Sequence, residues 1–361
     1  MAEGEPGVMM KKLSVFFLLF TCIPLILSAL TIDQGRIRLI LHENSGRFSI
    51  YYLDDIEKNT YVSLLFERDP RTSSVGLLLN NKLVTLGSST AFRQSVERTV
   101  NGARFIWESS SVKVIQSFSF VKSDPFGLSD GISIQTQVKN ISEDVQTIGV
   151  HLLLDTYLSE EQDAHFITSD GLELDNETEY TLRIPQYWMT KSEDSAFVGL
   201  QSLMKGNGIT LPDRVIFSNW KRLSENLWNI QAQENRNFNL LPYSINDSAV
   251  CQFYDPMQLG PGASRTVVAL LGAYTTSQFS LDNAAEIQSS SVEQVLSTTS
   301  PANGEDVEDM VQKDLIATNE IISNINSLLS FPDEITDEKI EVIRRAIQNL
   351  KVKKNQYQSS Q

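Results

Sequence analysis

Histidine and cysteine are scarce in this chain, and neither is grouped. Its 361 residues hold three histidines, His42, His151 and His165, and two cysteines, Cys22 and Cys251. Cys22 lies in an N-terminal apolar run, so a chain cut after Ala29 keeps Cys251 alone, and one thiol closes no intramolecular disulfide. Cys251 sits in an alternating apolar stretch, where a thiol packs as a small hydrophobe. No histidine spacing matches a metal motif, so neither a metal site nor a cofactor is expected. Missing too are a GxGxxG turn, a GxSxG elbow and a repeat of fixed period; Lys205-Gly206-Asn207-Gly208 lacks the rest of a phosphate loop and reads as a turn. Positive charge is short as well. Lys and Arg number 30 against 45 Asp and Glu, a formal charge of −15, and no basic stripe is present to overcome the repulsion of a phosphate backbone. Nucleic acid is excluded as a partner.

What the chain does have begins with an export pattern. Lys11-Lys12 precede an uncharged run from Leu13 to Leu30 that ends in Ser28-Ala29, and Pro24 breaks its helix ahead of the cut. Residues 1–29 are therefore expected to be a signal peptide, and the protein to be periplasmic, secreted or otherwise in the cell envelope. The run is also long enough to anchor the chain in a membrane if it is not cleaved.

From Thr31 to Tyr274 the dominant period is two. Ile132, Ile134, Thr136 and Val138 alternate with polar residues, as do Val112, Val114, Phe118 and Phe120. Asn44-Ser45-Gly46 turns the Ile37–Leu41 segment back into Phe48, Ile50 and Tyr52. Asn80-Asn81 joins two apolar runs as a hairpin, because asparagine tolerates the positive φ of a primed turn. Many short strands broken by turn chemistry predict a mainly β fold, a large antiparallel double-sheet sandwich over residues 30–285. A serine- and threonine-rich linker follows at 286–305. Beyond it the period becomes helical. Val311, Leu315, Thr318, Ile322, Ile325 and Leu329 form one stripe, and Ile340, Ile343, Ile347 and Leu350 another. These predict a C-terminal α-helical hairpin over 306–356, coiled-coil-like in spacing.

Candidate chemistry is thin. Asp155, Asp163 and His165 lie close in sequence, near His151, and are candidate ligand-binding residues. Glycoside chemistry needs facing carboxylates, and the Asp155–Asp163 segment supplies Asp155, Glu160, Glu161 and Asp163. A chain with 45 acidic residues also supplies such clusters by chance. Of the four tryptophans, Trp107, Trp188, Trp220 and Trp228, each fits a sandwich core as readily as a surface. Tyr187-Trp188, after Pro185, is the best surface pair for stacking on a sugar ring.

Three segments together carry a resemblance. They are Val150-His151-Leu152-Leu153-Leu154-Asp155-Thr156-Tyr157-Leu158, then Pro212-Asp213-Arg214-Val215-Ile216-Phe217-Ser218-Asn219-Trp220, then Asp247-Ser248-Ala249-Val250 followed by Tyr254-Asp255-Pro256 and Leu259-Gly260-Pro261-Gly262. Their order resembles a family of uncharacterised exported β-sandwich proteins of bacteria, spirochaetes included, similar in style to the galactose-mutarotase-like fold. The resemblance implies that fold over residues 31–275 and implies no activity. Two functions are expected from these readings. The first is a non-catalytic extracytoplasmic protein that binds an envelope protein, or itself, through Leu315, Ile322, Ile325, Ile343 and Ile347 of the tail. The second is a carbohydrate-binding or carbohydrate-acting sandwich that uses Tyr187, Trp188 and the acids near Asp155.

Overall fold

The computed structural model describes residues 29–55, 58–123, 128–156, 158–160, 164–192, 198–243 and 247–274, with isolated positions between 315 and 354. Strands β1 (Ala29–Gln34), β2 (Ile37–His42), β3 (Arg47–Asp55) and β4 (Thr60–Ser63) form a four-stranded antiparallel meander. β5 (Ser74–Leu79) and β6 (Lys82–Thr85) are the expected hairpin, with Asn80 and Asn81 at φ 48° and 62°. β7 (Arg93–Thr99), β8 (Gly102–Glu108), β9 (Val112–Val121) and β10 (Gly131–Asn140) run up and down before β11 (Gln146–Asp155) crosses to the other sheet. The short strands β12 (Phe166–Thr168), β13 (Glu173–Leu174), β14 (Thr178–Tyr180), β15 (Tyr187–Lys191) and β16 (Gly199–Leu203) follow. β17 (Arg214–Asn219), α1 (Trp220–Glu225), β18 (Ser248–Leu259) and β19 (Ser264–Ala273) complete the domain.

The two large sheets are antiparallel. One has nine strands in the order β13-β12-β15-β16-β19-β10-β9-β8-β7; the other has six, β14-β17-β18-β11-β5-β6. Their facing residues form one core. Ile132, Ile134 and Val138 of β10, Phe118 and Phe120 of β9, and Val150, Leu152 and Leu154 of β11 all belong to it. The period-two pattern thus reports the core face of the sheets. The four-stranded meander is a third sheet that the alternation did not reveal. It joins the same core through Phe48, whose ring lies 5.0 Å from that of Phe118.

The helical hairpin expected over 306–356 is not supported. Leu315, Ile322, Ile325 and Ile347 are helical and Ile343 lies outside the described residues. Leu315, Ile322 and Ile347 are 59%, 49% and 42% exposed. Of the expected signal segment 1–29, residues 1–28 lie outside the described residues and Ala29 opens β1; the linker 286–305 also lies outside them. Among the described residues, no helix is long and apolar enough to cross a membrane.

The six-stranded sheet is covered on its outer face as well. Leu153, Ile216, Ala249, Cys251 and Phe253 point away from the main core and pack with Leu223 and Ile230 of the segment after β17, flanked by Trp220, Leu227 and Trp228. That segment, a strap over residues 220–238, follows an N-cap: Asn219 accepts from the backbone N–H groups of Lys221 and Arg222, and its amide donates to the Phe238 carbonyl. Glu177 fastens the strap. Its buried carboxylate accepts from Ser218 Oγ at 2.6 Å, Arg222 Nε at 2.5 Å and the Gln233 N–H at 2.9 Å, and Arg236 Nε lies 3.5 Å away. Stripping one partner from a buried ion pair leaves uncompensated charge, at a cost of about 3–5 kcal/mol. Glu177→Ala is expected to lose stability of that order in urea melts. A change below about 1 kcal/mol would show that the arginines find water instead.

Candidate functional site

Strand register brings one set of polar groups to a single end of the six-stranded sheet. β17 and β11 end there and β18 begins there: Asn219 pairs with Ser248, and Asp155 with Ala249. β5 starts at the same end, with Ser74 opposite Leu153. Asp155 closes β11, Glu160 follows it, Asp247 stands before β18, and Asp69, Thr72 and Ser73 precede β5. One carboxylate oxygen each from Asp155, Glu160 and Asp247 lies within 4.8 Å of the others. Backbone bonds hold the arrangement. Ser248 N–H donates to Glu160 Oε1 at 3.0 Å, Trp220 N–H to the Asp247 carbonyl at 2.7 Å, and Asp155 N–H to Ser73 Oγ at 3.0 Å.

Asp155 is the unusual member. It is 2% exposed, and its Oδ1 has no hydrogen-bond partner. Burial pushes its carboxyl up to about 8; the Thr72 hydroxyl pulls the other way, and the Asp247 and Asp69 charges push up again. The Thr72 hydroxyl carries one proton and donates it to the Asp69 carbonyl at 2.9 Å. With its carboxyl raised to about 8, Asp155 is a neutral acid at pH 7, facing other carboxylates. Three such oxygens could also ligate a hard cation.

The sequence-predicted residues do not assemble around Asp155. His165 opens onto β12, in the nine-stranded sheet, with its ring 5.1 Å from that of Phe238 and its Nδ1 without a partner. Burial lowers its basicity, and Asp175 opposes this. Asp163 lies outside the described residues. Tyr187 is partly buried, packed with Val121, Leu203 and Leu270. Trp188 is fully buried in the core, edge-on to Phe166 and Phe217; a strand alternates its faces, so the expected surface pair has one ring on each side of the sheet. Glu160 lies in the turn that follows β11, within the acidic segment of the sequence, while Asp247 meets Asp155 through the pairing of β18 with β11.

His151 shares the outer face with Asp155, two strand steps away. Its Nδ1 accepts from Trp228 Nε1 at 3.2 Å, so the proton of the neutral ring sits on Nε2, which is buried and unpartnered. Two glycines make room. A Cβ on Gly76 would meet His151 Cε1 at 2.3 Å, and one on Gly149 would meet the Trp228 ring at 2.7 Å. Burial lowers His151 to about 4. A base with a depressed folded-state value stabilises the fold above its unfolded value and loses that as pH falls. His151 should therefore cost on the order of 3 kcal/mol of stability between about pH 6.5 and pH 4. His151→Asn is expected to flatten this acid limb in chemical melts. An unchanged limb would assign it to other groups.

No protein-family model and no curated protein matches the chain. Solved structures resemble it in architecture. A galactose mutarotase related enzyme from Lactobacillus acidophilus is 10% identical, with a TM-score of 0.45, covering 70% of this chain and 99% of its own. A galactose mutarotase-like protein from Lactobacillus casei is 9% identical, with a TM-score of 0.42, covering 68% of this chain and 100% of its own. A heparan sulfate lyase from Pedobacter heparinus is 12% identical, with a TM-score of 0.34, covering 70% of this chain and 36% of its own. The neighbours are thus mutarotase-like β-sandwich proteins and other carbohydrate-active enzymes. That finding corrects the first functional expectation, a non-catalytic protein working through protein contacts. Self-association or envelope-protein binding through the tail is likewise unsupported.

Proposed function

We propose that the protein acts on carbohydrate by acid–base proton transfer at the end of the six-stranded sheet. The observation that carries this is the buried, protonated Asp155 set against Glu160 and Asp247, with oxygens within 4.8 Å. A carboxyl that burial keeps protonated beside other carboxylates supplies the acid that such chemistry needs. Sugars suit the pair because the anomeric carbon of a reducing sugar carries two oxygens, one to protonate and one to deprotonate.

An inverting glycosidase keeps its carboxyl groups about 6.5–9.5 Å apart to admit a water. Single oxygens of Asp155, Glu160 and Asp247 within 4.8 Å of one another are closer than that, and they suit two atoms of one anomeric centre. In this reading Asp155 donates its proton to the ring oxygen as the Asp247 carboxylate takes the anomeric hydroxyl proton. The bond from the anomeric carbon to the ring oxygen breaks and a carbonyl forms. The carbonyl turns, and the reverse transfers close the ring as the other anomer. Glu160, held by the Ser248 N–H, accepts from a sugar hydroxyl. No redox partner is needed.

The test is exchange NMR between the anomers of simple hexoses with the purified protein. Exchange faster than buffer alone, lost in Asp155→Asn, supports the reading. Three results would each overturn it: exchange at the buffer rate for every hexose, hydrolysis of a glycoside instead, or activity that vanishes on chelation of divalent cations.

A further inference from the structure

The end of the six-stranded sheet that carries Asp155 also has the geometry of a cation site. One carboxylate oxygen each from Asp155, Glu160 and Asp247 lies within 4.8 Å of the other two. Oxygens on one calcium ion sit about 2.3–2.6 Å from it, so two of them can stand up to about 5 Å apart. These three are close enough to share a single ion. Spacing alone carries little in a chain with 45 acidic residues. Asp155 supplies a second observation. The residue is 2% exposed, and its Oδ1 has no hydrogen-bond partner. A buried polar atom left unpaired costs free energy that a bound ion would recover. Among the described residues, no lysine or arginine forms an ion pair with Asp155. Glu160 and Asp247 are half-buried where Asp155 is buried, so an ion enters past them and seats on Asp155.

We propose that Asp155, Glu160 and Asp247 form a calcium site, and that the bound ion shuts the site to proton transfer. The donors are oxygens alone, which suits a hard cation. Magnesium keeps most of its water and takes one or two carboxylates, whereas calcium accepts six to eight oxygens in flexible geometry. Three carboxylates therefore favour calcium, with water completing the shell. The frame is already set. Asp155 N–H donates to Ser73 Oγ at 3.0 Å, Ser248 N–H to Glu160 Oε1 at 3.0 Å and Trp220 N–H to the Asp247 carbonyl at 2.7 Å, so little freedom is lost when the ion arrives. The pairing of β18 with β11 brings Asp247 to the other two acids, which is why no local spacing in the sequence announces the site. An oxygen bonded to the ion neither gives nor takes a proton, so calcium and sugar chemistry exclude one another there.

The shut-off rests on the acid–base reading of the site; the binding does not, and it is measured without sugar. The chelator-treated full chain is titrated with calcium chloride by calorimetry, beside Asp155→Asn, Glu160→Gln, Asp247→Asn and Asp69→Asn. Wild type should bind one calcium per chain below about 1 mM, and magnesium at least about tenfold more weakly. Each of the first three variants should weaken calcium by about tenfold or more, while Asp69→Asn, a nearby acid outside the cluster, should stay within about threefold. If one variant unfolds, the others decide. The absence of saturable binding up to about 10 mM, or equal binding by all four variants and wild type, would overturn the site and leave only loose association with an acidic surface. Anomer exchange should fall as calcium fills the site and return on chelation. Exchange untouched by saturating calcium would overturn the shut-off. Site-dependent calcium binding with no exchange in wild type would sink the sugar reading and leave the calcium site standing. Exchange lost in Asp155→Asn, with no calcium bound by wild type, would do the reverse.

Discussion

Asp155→Asn is expected to be more stable than the wild-type protein at pH 9, by on the order of 5 kcal/mol. The folded protein holds the Asp155 proton up to about pH 8, while the unfolded chain releases it near 3.8. Folding therefore takes up a proton throughout that window. A raised carboxyl stabilises the fold below its unfolded value, and this is lost as pH rises through the folded value. Asparagine has the shape of the neutral acid, yet has no proton to lose. Urea melts at pH 5, 7 and 9 should show wild type losing stability with pH and Asp155→Asn losing far less. Parallel curves for the two proteins would mean that Asp155 is ionised in the folded state.

The same substitution is expected to lower anomer exchange by about 10²–10⁴-fold, the usual contribution of one positioned acid or base. Asp247→Asn removes the partner and should cost a similar factor. The two losses should fall short of adding in the double variant, because the groups work as a unit. Asp155→Asn thus trades function for stability, as expected where a site stores an unfavourable group. Retained exchange in Asp155→Asn, together with the predicted gain in stability, would make Asp155 a structural acid only.

Much of the sandwich could be read from the sequence because one buried face per strand leaves a period of two. β9 and β10 show this plainly, and the Asn80-Asn81 hairpin follows from backbone freedom alone. β11 was harder. Its Val150-His151-Leu152-Leu153-Leu154-Asp155 run does not alternate, because the strap buries its outer face too, and a strand covered on both sides loses its polar rhythm. The candidate site was half legible. Asp155 and Glu160 stood in the segment singled out for carboxylates, but Asp247 and Thr72 reach it through the pairing of β18 and β5 with β11, which no local spacing encodes. Trp188 was misplaced for a local reason: after Pro185 it looked like a strand edge, yet β15 pairs on both sides, with β12 and β16.

The most direct test is the pH–rate profile of hexose anomer exchange, measured for wild type and Asp155→Asn from pH 5 to pH 10. A buried acid that must be protonated predicts a wild-type rate that falls as pH rises through about 8, above a low and flat Asp155→Asn line. A wild-type rate that rises through that range, or that cannot be told from the variant's at any pH, would contradict acid–base action on sugars at this site.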